Sequence, residues 1–148
     1  MKLSAREDIE APLERVYEAV TDFDGFEKQM LRRGIDVTRD DTLPSHEPGA
    51  RWQARFTWRG RPHDMSAELV SIDSGQGYAI ESRSGGVICL GVVDLVALSK
   101  ARTRLFVSLD VRPTTFSARL LVQSLKLAKG SIDRRFKARV SELAQSMT

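Results

Sequence analysis

DIEAPLERVYEAVTDFDGF, residues 8–26, passes from an extended pattern to a helical one at a single Ala-Pro step. Upstream, in KLSAREDIE (residues 2–10), Leu3, Ala5 and Ile9 share one face of a strand, with mostly charged residues opposite. Ala11-Pro12 ends that strand, because a residue before proline is pushed away from helical geometry. Proline is itself tolerated in a first helical turn, where its missing N–H would lack a partner anyway. Leu13, Val16, Tyr17 and Val20 then recur at helical spacing, with Glu14 placed to suit the positive end of the helix dipole. Asp22 and the Asp24-Gly25 pair are expected to break this helix, and a second short one, FEKQMLRRG, to run from 26 to a stop at Gly34.

Beyond this opening the chain reads as a meander of antiparallel strands. IDVTRDDT (35–42) precedes a loop holding Pro44, Pro48 and Gly49. RWQARFTW (51–58) alternates, with Trp52, Ala54, Phe56 and Trp58 on one face. HDMSAELVSI (63–72), YAIESRS (78–84), VICLGVVDLVAL (87–98) and TRLFVSLDV (103–111) follow, separated by Gly- and Ser-containing turns. The last sets Leu105, Val107, Leu109 and Val111 on one face. Thr114 or Thr115 can cap a final helix expected over 116–146, with Leu121, Leu125, Ala128, Ile132 and Phe136 on its apolar stripe and Gly130 marking a bend. One α+β domain over 1–148 is expected: a curved seven-stranded antiparallel sheet, two short helices after strand 1, and one long C-terminal helix over the concave face. A sheet that curls further than one helix can follow leaves a cavity.

Composition excludes several classes. With 29% charged and 41% hydrophobic residues the chain is neither disordered nor membrane-like. The longest apolar run, 87–98, is interrupted by Asp94 and is too short to span a bilayer. The N-terminus has no apolar core of a signal peptide, so a cytoplasmic location is expected. A single cysteine, Cys89, permits neither an internal disulfide nor a cysteine-based zinc site. Charge is uneven: residues 1–48 hold 7 basic and 12 acidic residues, net −5, and residues 49–148 hold 16 and 8, net +8. Much of the excess lies in KLAKGSIDRRFKAR (126–139), which suits either a solvated helix face or weak contact with an anionic membrane; no specific nucleic-acid partner is expected.

The Ile-x-Ala-Pro-x-x-x-Val-aromatic pattern, here Ile9, Ala11, Pro12, Val16 and Tyr17, together with the order of elements over nearly the whole chain, resembles the START-like SRPBCC superfamily, with its polyketide cyclase/dehydrase and lipid-transport group closest. The resemblance implies a helix-grip fold with an apolar cavity between sheet and final helix. One departure is clear: many family members carry Trp-Pro where this chain reads GFEKQML, so Phe26 takes the aromatic place and no proline follows.

Candidate chemistry is sparse. His46 and His63 stand in separate loops, so no metal site is expected, and no nucleophile or nucleotide motif suggests a cofactor. Trp52, Phe56, Trp58, Tyr78 and Ile80 are the expected cavity wall from the middle strands, although aromatic side chains fill cores equally well. Leu90, Val92 and Asp94 join Leu105, Val107 and Leu109 if the hairpin at SKAR (99–102) has two or four loop residues; three would turn Asp94 to solvent. Facing in, Asp94 would be the strongest acid–base candidate, with Tyr78 second. The same parity sends Cys89, Val93, Leu95 and Ala97 outward near Phe106 as a candidate homodimer contact. Leu121, Leu125, Ala128 and Ile132 would close the cavity, with Arg135 and Arg139 at its edge for an anionic head group. Three functions remain open: binding or transport of a hydrophobic or amphipathic small molecule, a metal-free cyclase- or dehydratase-type enzyme, and an interaction module with a filled core.

Overall fold

In the computed structural model, which describes residues 1–40, 42 and 46–148, strand β1 (Lys2–Ile9) ends at the Ala-Pro step. Pro12 is extended (φ −63°, ψ 153°) and its carbonyl accepts from the amides of Arg15 and Val16, both at 3.1 Å, which starts α1 (Leu13–Val20). The corner is pinned from across the sheet, since the fully buried Thr103 donates its hydroxyl to the Ala11 carbonyl at 2.8 Å.

The helical break falls earlier than Asp24-Gly25. Helix α2 (Phe23–Arg32) already contains both, and its cap is Asp22, whose carboxylate accepts from the Gly25 amide at 3.0 Å. A Cβ at Gly25 would meet that carboxylate, so a larger residue there would oblige the Asp22 side chain to shift. Strands β2 (Asp36–Arg39), β3 (Arg51–Trp58), β4 (Arg61–Asp73), β5 (Gly77–Ser84), β6 (Val87–Ser99) and β7 (Arg102–Pro113) follow. Pro44 of the expected loop and Asp41, near the end of the strand expected over 35–42, lie outside the described residues.

The sheet is antiparallel throughout, in the order β1-β7-β6-β5-β4-β3-β2. Two register shifts interrupt it, between Leu69 and Ser71 in β4 and between Ala97 and Ser99 in β6. Bulges of this kind bend a strand and sharpen its twist.

The final helix is two helices. Thr115 caps α3 (Phe116–Leu127) by accepting from the Ala118 amide at 3.1 Å. The chain then breaks at Ala128 (φ −104°, ψ 18°), and α4 (Lys129–Gln145) begins directly after it. Gly130 sits in the first turn of α4 rather than at the break. Because of that break, α3 packs against β7 while α4 packs against β1. The main core joins Ile9, Val16, Val20, Leu95, Leu105, Val140, Ala144 and Met147, tying the opening segment, the β6–β7 pair and α4 together. A second cluster gathers Phe23, Ala50, Trp52 and Leu69 under α2. Among the described residues no helix is long and apolar enough to cross a membrane.

Across β1 and β7, Arg104 donates to Asp8 at 2.7 Å. That hydrogen bond, aided by the charges of Arg104 and Arg102, holds the Asp8 carboxyl below its ordinary 3.8. A carboxyl depressed in the folded state binds its proton more readily when unfolded. Its contribution is therefore present above pH about 4 and lost as pH falls through the lower folded value. Acid titration of thermal stability should show a loss below pH about 4 that is smaller in Asp8→Asn, and identical acid limbs would refute the assignment.

Candidate functional site

Helix α2 contacts β2 and α4 contacts β1, the two edge strands, and two lobes of space lie between the helices and the sheet. Under α2 lies a cavity of about 260 Å³, walled by Phe23, Phe26, Glu27 and Met30 of α2, Val37 of β2, Trp52 and Ala54 of β3, Met65 and Ala67 of β4, and Tyr78, Ile80 and Ser82 of β5. A second lobe of about 180 Å³ lies under α4, between Val20, Val93, Leu105 and Val107 on one side and Phe136, Arg139, Val140 and Leu143 on the other. Phe26 and Tyr78 line both lobes.

Local sequence explains the first lobe. Phe23, Phe26 and Met30 fall on one face of α2 at helical spacing. On the sheet, Trp52 stands opposite Ala67, and Ala67 opposite Ser82, so one large side chain is followed across the strands by two small ones. Met65 opposite Ala54 repeats the contrast. The small residues leave the space that the helix does not fill.

The polar groups of this wall are mostly engaged. The Trp52 indole donates to Glu27 Oε1 at 2.6 Å, and Arg39 approaches the same oxygen at 3.7 Å. Arg39 also bridges to Asp24 at 2.7 Å, so α2 is tied to β2 and β3 by charge. The Tyr78 hydroxyl donates to the Val20 carbonyl at 2.7 Å. Burial, with a smaller contribution from Tyr17, pushes the Tyr78 phenol well above its ordinary range, so it stays protonated. Ser82 makes a long contact of 3.5 Å to the Cys89 carbonyl. Among the described residues no buried side-chain polar atom lacks a partner.

Not every residue expected from the sequence lies here. Trp52, Tyr78 and Ile80 line the first lobe, and Leu105 and Val107 the second. Phe56 stacks on His63 at 5.5 Å, and Trp58 is 39% exposed at the β3–β4 turn with the Arg59 guanidinium 4.5 Å over its ring; neither reaches a lobe. Leu109 faces the concave side opposite Gly91, outside both lobes. Leu121 and Leu125 are half-buried in α3, Ile132 is half-buried in α4, and Ala128 is exposed at the break, so the closing wall comes from Phe136 onward instead. Arg139 lines the second lobe and Arg135 does not.

Asp94 does not face the cavity. The β6–β7 loop does have two residues, with Ser99 opposite Arg102, yet Leu98 is bulged out and Ala97 pairs with Thr103. One extra residue reverses the facing of the rest of β6. Asp94 therefore pairs with Phe106 on the convex face and is exposed, as are Leu90 and Val96 beside it, while Val92 on the same face is half-buried. Cys89, Val93, Leu95 and Ala97 fall on the other face, Leu95 being 5% exposed, so the expected dimer contact through them is not available. Glu81 and Arg83 also face outward and pair with each other at 2.7 Å.

What sequence reading missed is α2 as a wall, with Phe23, Phe26, Glu27 and Met30, and the small residues Ala54, Ala67 and Ser82. The helical spacing on α2 and the alternation on β3, β4 and β5 show which of these residues share a face, but not that the faces border a cavity.

The sequence matches no protein-family model and no curated protein. Solved structures do match. Zhui aromatase/cyclase from a Streptomyces species aligns with TM-score 0.72 at 12% identity, over 99% of this chain and 93% of that one. A protein of Thermus thermophilus aligns with TM-score 0.68 at 17% identity, over 99% and 97%. Norcoclaurine synthase from Thalictrum flavum, solved in complex with dopamine and hydroxybenzaldehyde, aligns with TM-score 0.67 at 11% identity, over 99% and 85%. At such identities the likeness establishes the fold alone: the helix-grip arrangement of antiparallel sheet and C-terminal helices implied by the sequence resemblance is the one observed.

Proposed function

We propose that this chain binds a small hydrophobic or amphipathic molecule in the space between α2, α4 and the concave face of the sheet. One observation carries the reading: a cavity of about 260 Å³ whose wall is almost wholly apolar, set where the cross-strand partners of Trp52 and Met65 are alanines. Its volume lies just under the roughly 300–1,000 Å³ of sites for drug-sized ligands, which suits one or two rings or a short acyl chain. A longer molecule would pass Phe26 and Tyr78 into the second lobe, where Arg139 stands at the exposed edge to meet an anionic group.

Binding is favoured over acid–base chemistry by the state of the polar groups. Asp94 is on the far face of the sheet, and the Tyr78 proton is committed to a backbone carbonyl. Glu27 is the one carboxylate in the wall of the first lobe, and the Trp52 indole already holds one of its oxygens. The solved relatives include an aromatase/cyclase and a synthase complexed with two aromatic compounds, which is in keeping with a cavity that accepts rings.

Native mass spectrometry of the purified chain, followed by titration with anilinonaphthalene sulfonate, tests the reading. A mass adduct released on denaturation, or saturable probe fluorescence at one site per chain, is the expected result. A chain that carries no adduct and binds no probe would remove the proposal.

A further inference from the structure

Helix α3 is apolar on two opposite faces. Ala118, Leu121, Val122 and Leu125 are buried or half-buried against the fold. On the other side Phe116 is 73% exposed, Leu120 51% and Leu127 92%. At 3.6 residues per turn these three fall within about 40° of arc, a ridge along a helix of about 18 Å that the exposed Gln123 interrupts between Leu120 and Leu127. Arg119 and Lys126 flank the ridge on one side, and Ser117 and Ser124 on the other.

An amphipathic helix needs only one apolar face to join its own fold, so the second calls for an external partner. Charge decides which. Helix α3 itself holds two basic residues, Arg119 and Lys126, and no acidic one, and Lys129 follows at the start of α4. A second copy seated on the ridge would bring two such cationic surfaces together. A nucleic acid would match the charge but leave Phe116, Leu120 and Leu127 in contact with phosphate or water. An anionic lipid surface matches both features, since leucine and phenylalanine enter the acyl boundary while Arg119, Lys126 and Lys129 stay among the head groups.

We propose that the outer face of α3 docks this protein on anionic membranes, lying flat in the interface with Leu127, at the turn into α4, as its most deeply inserted residue. The proposal is independent of what the cavity holds. Each lysine or arginine near a negatively charged leaflet adds to the attraction, and salt weakens it.

Co-sedimentation with vesicles of equal parts phosphatidylglycerol and phosphatidylcholine, against vesicles of phosphatidylcholine alone, tests it. The expected result is capture by the anionic vesicles, falling as salt is raised, with little capture by the neutral ones. Leu127→Glu combined with Leu120→Glu should weaken capture about tenfold or more, because two apolar anchors are lost and like charge is introduced. The exposure of both residues keeps the fold out of the comparison, and unchanged circular dichroism verifies that. Leu98→Glu, on an exposed leucine of the β6 bulge, should leave capture unchanged. Equal capture by neutral vesicles, no capture by anionic ones, or capture indifferent to the α3 double variant would each overturn the proposal. So would a stable dimer in lipid-free buffer that the same double variant dissociates, since the ridge would then be a contact between copies.

Discussion

Ala67→Phe should reduce affinity for the cavity's ligand by about tenfold or more, equivalent to roughly 1.4 kcal/mol, while leaving the chain folded. Ala67 stands between Trp52 and Ser82 on the concave face and lines the first lobe. A ring placed there occupies the space the ligand needs. In a filled core such a change forces strain of about 1–3 kcal/mol, but here it enters existing space. The informative result is therefore a pair of measurements, with probe or adduct binding lost and the melting temperature little changed. Val92→Phe supplies the contrast, because the Leu98 bulge puts Val92 on the convex face. Unchanged affinity in Ala67→Phe, or equal losses in both variants, would place the binding site elsewhere.

Ile9→Ala should cost about 2–5 kcal/mol of stability, the range for truncating a fully buried isoleucine. Ile9 is 0% exposed and packs in the cluster that joins β1, α1, the β6–β7 pair and α4. Against a typical total of about 5–15 kcal/mol that loss is large. At roughly 2–4 °C per kcal/mol for a chain of this size, the midpoint should fall by about 4–20 °C. Urea or thermal unfolding measures it, and a change below about 1 kcal/mol would mean that the cluster collapses around the missing atoms. Ligand affinity of the folded fraction should persist, since Ile9 touches neither lobe.

The difference between these residues also shows what could be read from the amino-acid order. Ile9, Ala11, Pro12, Val16 and Val20 announce themselves because strand period, proline sterics and helix period are local properties, and one short stretch displays all three. The inward sets Trp52–Ala54 and Leu105–Val107 follow from simple alternation for the same reason. Asp94 does not. Its facing depends on whether register is kept over the whole distance from the turn, and Leu98 interrupts that register without any glycine or proline to mark it. The break at Ala128 is equally unmarked: alanine is a strong helix former, and there the apolar stripe continues smoothly through a point where the backbone does not. The role of α2 was hidden for a third reason. Amphipathic spacing shows that Phe23, Phe26 and Met30 share a face, but not whether that face meets packed side chains or a cavity.

Helix α2 is also fastened differently from the rest of the cover. It buries one residue, Phe23, against the Trp52 and Tyr78 rings, packs Phe26 on the second cluster, and is tied by the Trp52–Glu27 hydrogen bond and the Arg39 ion pairs with Asp24 and Glu27. Helix α4, by contrast, places Val140 and Ala144 in the main core. Partly exposed polar ties yield to local opening at much lower free energy than a shared apolar core does. The consequence is kinetic. On the proposed binding, the wall of the larger lobe would lift while β1, β6, β7 and α4 stay assembled, so a guest's residence time would follow the opening of one short helix and not the lifetime of the fold.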